Sequence, residues 1–502
     1  MQYDIIIQNG RIVDGSGSAS YEADIGIGGD RIVAIGDLHG AGAAALIDAK
    51  HRIVAPGFID PHNHAHNEAE GGILEIPSAD NMLRQGITTV IAGNCGGSAW
   101  PIGKHLDQVD RLEIRQNYAT LAGMQTIRDV AVGEERKALP ANPTEIAEMQ
   151  DLIRLAMDEG ALGVSNGYYP AYVTVDEIAE VCKAAAERKG IYSCHMRSEG
   201  DALLGSVEEM IRVGARAELP VQISHLKTYG ARNWWKIDAV LELIERGRKR
   251  GVDVMADRYP YTAGYTGILA TIPMWMKTEA LARGGYESLR EPGRRDHVRR
   301  GMEDQMDLIG GPHNIMLAPT EPDPRLDGRR LSEYAEEVGK DPVETALDLI
   351  CREGISCIYF TMSEENIETF YTSPWVFVGS DGHLRIFEKG VSHPRNYGTF
   401  PRFIGRYARD RGLLSVEEAV RKCTGMAAER WGLEGRGRIE RGCFADVVVF
   451  DWDGIADRAT FENQHRYPDG IDWVLLNGRI AVADGETAEG AHGRVLRSTD
   501  GP

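Results

Sequence analysis

Gly57-Phe58-Ile59-Asp60-Pro61-His62-Asn63-His64-Ala65-His66 decides the fold. It follows the apolar pair Ile53 and Val54 and runs on through Phe58 and Ile59, so it reads as a buried strand. Side chains alternate faces along a strand, so His62 and His64, two apart, point the same way. In a parallel barrel the active site sits at the carboxyl ends of the strands. Two neutral imidazoles on one face at that end can grip a divalent metal. A lone His-X-His fits equally well where a strand runs out into a polar loop, so partners further along the chain must decide.

The chain beyond it alternates short apolar runs with amphipathic stretches, the pattern of βα units around a parallel sheet. Candidate strands are Ile87–Ala92, Tyr118–Ala122, Ala161–Ser165, Ile191–His195, Val221–His225, Val252–Ala256, Ile355–Phe360 and Val376–Ser380. Asn142-Pro143-Thr144-Glu145 caps a periodic helical run to Met157. With the histidine strand there are nine candidates for the eight places of a barrel, so one lies outside it. The stretch 272–343 is too long for a βα loop and carries helix signals of its own, such as Leu331–Val338, which makes it an expected lid insertion.

Several strand ends carry metal-type side chains. Gly93-Asn94-Cys95-Gly96-Gly97 closes one, and a thiolate flanked by glycines is a strong zinc ligand. Cys194-His195-Met196-Arg197, Ser224-His225-Leu226-Lys227 and Gly379-Ser380-Asp381-Gly382 close three more. Each word alone is ordinary, a buried cysteine or a turn. The ordered set of His62, His64, Cys95, His195, His225 and Asp381, at the ends of different strands, points to a metal site.

Both chain ends are written differently. Short β pairs surround Asn9-Gly10 and Gly28-Gly29-Asp30 near the start, and Gly442–Asp451 and the hairpin at Asn477-Gly478 return in the same style. The expected organisation is α/β, with a small β domain from residues 1–56 and 430–502 and a barrel from 57–429.

The length of 502 residues suits such a barrel plus a second domain. A formal charge of −20 excludes a nucleic-acid binder, which needs a basic footprint. No apolar run reaches a membrane span of about 18 residues, and Met1-Gln2-Tyr3-Asp4 lacks the basic start of a signal peptide. Seven scattered cysteines suggest no disulfide framework, so the cytoplasm is the expected compartment. The net charge leaves a small molecule open as the partner, since a pocket can differ from the average surface. Nothing in the sequence speaks to oligomeric state.

These words, in this order, resemble the amidohydrolase superfamily and, within it, the D-aminoacylases (N-acyl-D-amino-acid deacylases). The resemblance spans nearly the whole chain. It includes Ala55-Pro56-Gly57-Phe58-Ile59-Asp60, Asn94-Cys95-Gly96, His195-Met196-Arg197 with Glu199-Gly200, Ser224-His225-Leu226-Lys227, Tyr259-Pro260-Tyr261-Thr262-Ala263-Gly264 and His393-Pro394-Arg395. The Asn-Cys-Gly and His-Pro-Arg words are the specific ones.

The resemblance implies a (β/α)8 TIM-like barrel, a small β domain from both termini, an insertion lid and zinc. It implies a tight zinc on Cys95, His195 and His225, and a second, weaker position lined by His62, His64 and Asp381, with Cys95 able to bridge. It implies that Asp381 moves the proton, that Tyr259 helps polarise the amide carbonyl, and that Lys227 and Arg395 bind the α-carboxylate. The implied reaction is hydrolysis of N-acyl-D-amino acids with neutral or hydrophobic side chains. The alternatives are another amidohydrolase acting on dipeptides or cyclic amides, and a barrel that binds a metal or ligand without catalysis.

The chain departs from the family pattern near the expected mouth. Ala65, His66, Asn67 and Glu68 stand where relatives carry acidic residues, and Gly123-Met124-Gln125-Thr126 stands where many have Gly-His-Gly-Thr. The turn Gly167-Tyr168-Tyr169-Pro170 looks shortened, and His383 follows Asp381-Gly382. These changes leave the ligand set intact and bear on the substrate.

Overall fold

The computed structural model describes residues 2–67, 71–133, 136, 139–167, 172–283, 285–352 and 354–498. Glu68 and the Tyr168-Tyr169-Pro170 turn lie outside the described residues.

The amino-terminal strands are β1 (Tyr3–Ile12), β2 (Tyr21–Gly28), β3 (Arg31–Gly36), β4 (Ala43–Asp48) and β5 (Ile53–Pro56). Asn9-Gly10, expected as a hairpin turn, is instead a bulge inside the single strand β1, whose register with β2 shifts between Ile7 and Gly10. Asn9 takes a positive φ of 56° and donates its backbone N–H to Asp24 Oδ1, which absorbs the extra residue without reversing the chain.

The strands that follow are β6 (Phe58–Asp60), β7 (Ile87–Ala92), β8 (Asn117–Thr120), β9 (Ala122–Gly123), β10 (Gly163–Asn166), β11 (Ile191–Cys194), β12 (Val221–Ile223) and β13 (Val254–Arg258). Next come β14 (Ala263–Gly267), β15 (Ile315–Pro319), β16 (Ile355–Phe360) and β17 (Val376–Val378). The last strands are β18 (Val447–Phe450), β19 (Ile471–Leu476), β20 (Arg479–Ala483) and β21 (Glu486–Thr487).

These strands form four sheets. Strands β6, β7 and β8 pair in parallel, and so do β9, β10, β11, β12, β13 and β17 in that order. Only Leu121 separates β8 from β9, and it donates its N–H to Ala92 O while Leu162 donates to Thr120 O, so pairing carries across the break. These strands are buried along their whole length, as parallel strands covered by helices are. The helices between them pack by their amphipathic faces. Pro143–Asp158, for example, opens with the expected capping box between Asn142 and Glu145.

The surplus candidate among the nine is Ile355–Phe360. It pairs antiparallel with β14 and β15 in a separate three-stranded sheet. Periodicity did not exclude it because its interior is as buried as any parallel strand, packed into a core of its own with Ile268, Met276, Leu289, Met302, Leu317 and Leu347. This sheet and its core run from β14 to β16, and the stretch 272–343 lies within them.

Strands β1 to β5 and β18 to β21 form one nine-stranded sheet. The two chain ends meet where β18 pairs antiparallel with β5, directly before the histidine strand β6. Among the described residues no helix is long and apolar enough to cross a membrane.

Candidate metal centre

Cys95 after β7, His225 after β12 and Asp381 after β17 share an unusual backbone, with positive φ of 55°, 38° and 51°. Non-glycine residues seldom adopt it, it costs about 1–3 kcal/mol, and it clusters at functional sites. The three residues face one pocket with His64, His195, Lys227, Tyr259 and Arg395.

The six predicted ligands converge there. Cys95 Sγ lies 3.5 Å from Nε2 of both His62 and His225. His195 Nδ1 and His225 Nε2 are 2.9 Å apart. Asp381 Oδ1 is 3.0 Å from His64 Nε2 and 3.4 Å from His62 Nε2. His62 belongs to two clusters, one with Cys95 and His225 and one with His64 and Asp381, each with donor atoms within 4.8 Å of one another.

The charges suit a cation. Burial opposes ionisation of Cys95, but His62, His195 and His225 outweigh it and hold the thiol well below its usual range. Burial likewise opposes charge on Asp381, yet Arg395 and His225 drive its carboxyl well below the ordinary value. His64 is raised to about 9, its burial overcome by hydrogen bonds with Asp381 and Cys95. One thiolate, several imidazoles and a carboxylate in adjoining clusters are a donor set that fits zinc.

Buried groups that the sequence reading missed aim these ligands. Asp257 Oδ1 pairs with His62 Nδ1 at 3.0 Å and accepts the backbone N–H of His225 at 2.8 Å. Gly379 permits this, since a Cβ there would lie 3.1 Å from the Cβ atoms of both Asp257 and His62. Glu199 Oε1 lies 2.9 Å from His225 Nδ1. Asp60 accepts from the backbone N–H and hydroxyl of Ser380, tying β6 to the turn that carries Asp381. A polar residue at the end of an apolar strand was the available signal for Asp257.

The predicted substrate-binding residues stand around this centre. Arg395 Nη1 donates to Asp381 Oδ2 at 2.7 Å, and its buried Nε has no hydrogen-bond partner among the described residues. His393 positions it, accepting the Arg395 backbone N–H on Nδ1 while Nε2 bonds to Ala263 O. Lys227 Nζ donates to Glu199 Oε1 at 2.6 Å. The Tyr259 ring lies between the two cations, 4.9 Å from the Arg395 guanidinium and 5.7 Å from Lys227 Nζ. His66 stands outside the ligand clusters, and His383 stacks on the His64 ring with 5.0 Å between centroids.

The amidohydrolase family model matches residues 45–482. The chain belongs to the amidohydrolase family. Among curated amidohydrolase relatives, it is 36% identical over 524 residues to a D-aminoacylase of Alcaligenes xylosoxydans xylosoxydans, covering 99% of this chain and 98% of that protein. It is 34% identical over 519 residues to an N-acyl-D-glutamate deacylase of the same organism, covering 98% and 96%. A solved structure of the N-acyl-D-glutamate deacylase from Bordetella bronchiseptica, complexed with zinc and a phosphonate mimic of the tetrahedral intermediate, is similar at a TM-score of 0.86 and 31% identity, covering 99% of this chain and all of that one.

Proposed function

We propose that this amidohydrolase hydrolyses the amide bond of N-acyl-D-amino acids, with zinc, to give a carboxylate and a D-amino acid. The observation that carries this reading is the convergence of Cys95, His195, His225, His64 and Asp381 in one pocket with Arg395 and Lys227, with buried His62 clustered against Cys95, His225 and Asp381. The full-length similarity to D-aminoacylase and N-acyl-D-glutamate deacylase supports it.

The architecture we propose is a closed (β/α)8 barrel, counting β8 and β9 as one interrupted strand. Support for closure comes from the seam between β6 and β17, where Asp381 N–H donates to His62 O and His64 N–H to Gly382 O. The small β domain takes residues 1–56 and 430–502, the barrel 57–429, and the insertion within it forms the pocket's outer wall through Tyr265, Thr266, Gly267 and Tyr359.

Cys95, His195 and His225 would hold the tight zinc in this reading, and His62, His64 and Asp381 would line a second, weaker position. Zinc bound there polarises the amide carbonyl and makes water acidic near neutrality. Asp381, held as a carboxylate by Arg395, accepts the proton of the attacking water and returns it to the departing nitrogen. Tyr259 donates to the carbonyl oxygen as negative charge develops. The α-carboxylate takes the unpartnered Nε of Arg395, whose planar fork suits it, and the ammonium of Lys227.

Turnover of N-acetyl-D-leucine, a dipeptide and a hydantoin by the zinc-loaded protein tests the reading. Hydrolysis confined to the N-acetyl compound is expected. Preference for the hydantoin or dipeptide would move the protein to the other amidohydrolase class, and zinc binding without turnover would leave a binding barrel.

A further inference from the structure

His66 and Gln125 both line the pocket, and neither belongs to the metal clusters. His66 Nδ1 accepts the backbone N–H of Gly93 at 2.9 Å. That bond fixes the neutral ring's proton on Nε2. Nε2 lies beside Gly97, where a Cβ would sit 3.5 Å from it with nothing else within 4 Å. Gln125 follows β9, its backbone N–H anchored on Gly96 O. His66, Gly97 and Gln125 all line the pocket, and among the described residues neither His66 Nε2 nor the Gln125 side-chain amide has a hydrogen-bond partner. One wall therefore presents an N–H donor and an amide around a space kept open by glycine.

The strand order assigns this wall a role. Lys227 and Tyr259 follow β12 and β13, while Gly97 and Gln125 follow β7 and β9. In a ring of eight strands those pairs are diametrically opposed, with the ligands of β6, β11 and β12 around the centre. An amide lying over the centre with its α-carboxylate on Lys227 and Arg395 must direct its acyl group to the opposite side. Resting on the deacylase reading, we infer that His66, Gly97 and Gln125 form an acyl subsite selecting short acyl groups that bear a hydrogen-bonding oxygen. His66 Nε2–H donates to that oxygen, and the Gln125 carbonyl accepts from it when it is a hydroxyl. An apolar acyl chain of equal size leaves both groups desolvated and unpaired, which is how a polar site rejects an analogue.

N-glycolyl-D-leucine and N-propanoyl-D-leucine differ only by a hydroxyl in place of a methyl, and their kcat/KM ratio tests the inference. The hydroxyl also makes the acyl carbon intrinsically more reactive, so the comparison across variants decides. The wild-type ratio is expected to exceed that of both His66→Phe and Gln125→Leu by about fivefold to tenfold. Should His66→Phe fail to fold for loss of its bond to Gly93, Gln125→Leu carries the test by itself. A ratio unchanged in Gln125→Leu, or in both variants, would overturn the acyl subsite. Wild-type turnover of N-acetyl-D-leucine with unchanged ratios removes only this inference, whereas no turnover of any N-acyl-D-amino acid removes the deacylase reading and the subsite with it.

Discussion

Asp257 and His62, brought together from β13 and the end of β6, form a buried pair at 3.0 Å. The same carboxylate oxygen accepts the backbone N–H of His225, and its other oxygen accepts from Gln222. One carboxylate thus aims the Nε2 of His62 inward and holds the loop of a second ligand. Carboxylate partners of metal-bound histidines typically contribute about 10- to 100-fold in metal affinity. Asp257→Asn is expected to weaken zinc binding within that range while leaving the circular dichroism spectrum unchanged. Competition with a chromophoric chelator measures it, and wild-type affinity would remove Asp257 from the centre.

Cys95→Ala is expected to lose zinc and activity together, since the thiolate is the softest donor at the site. Metal analysis of the purified variant decides this. One zinc per chain retained in Cys95→Ala would exclude the cysteine as a ligand.

Asp381→Asn keeps the fold and the zinc on Cys95, His195 and His225 but loses the group that moves the proton. kcat is expected to fall by about two orders of magnitude or more. Near-normal turnover would show that another residue carries the proton.

The side-chain preference follows from the pocket's cations. Among the described residues Lys227 and Arg395 are the lysine and arginine that line it, and both already face carboxylates. Arginines of the 272–343 stretch pair elsewhere, Arg283 with Glu279 and Glu291, Arg290 with Asp348, Arg294 with Glu279 and Arg295 with Glu344. Burying an acidic side chain against Tyr229, Tyr265 and Tyr359 without a dedicated cation costs several kcal/mol at typical magnitudes. kcat/KM is expected to favour N-acetyl-D-leucine over N-acetyl-D-glutamate by at least tenfold. A glutamate preference would contradict this and point to Arg385, which donates to the Tyr265 hydroxyl at 3.4 Å.

Lys422 gives a pH signature at the base of β17. Its buried ammonium donates to Ser373 O and Val376 O, and burial lowers its pKa to about 8. The folded chain binds this proton less tightly than the unfolded one, so the penalty is full below pH 8 and is relieved as pH rises toward 10.5. Between pH 7.5 and 10 the wild type is expected to gain about 2 kcal/mol relative to Lys422→Met, read from urea midpoints. Parallel pH profiles would contradict it.

The convergence of His62, His64, Cys95, His195, His225 and Asp381 was legible because each follows a strand in chain order, and strand ends are visible as the last residue of an apolar run. Asp257 was missed because it directly follows the expected strand Val252–Ala256, where a charged Asp-Arg pair reads as the strand running out into a polar loop, whereas the strand in fact runs on to Arg258. Ile355–Phe360 was misplaced because burial inside an insertion writes the same apolar word as burial inside a parallel sheet. Asn9-Gly10 shows the converse limit: a dipeptide that usually turns the chain serves as a bulge when Asp24 takes the backbone N–H. The positive φ of Cys95, His225 and Asp381 left no sequence signal, because the surrounding structure rather than the residue type enforces it.

The most direct measurement is kcat/KM for N-acetyl-D-leucine against N-acetyl-L-leucine, with one zinc per chain and again after chelation. A preference for the D enantiomer of at least a hundredfold, abolished by chelation and restored by zinc, is the predicted result. Equal use of both enantiomers, or turnover that survives removal of the metal, would contradict a zinc-dependent D-amino-acid deacylase.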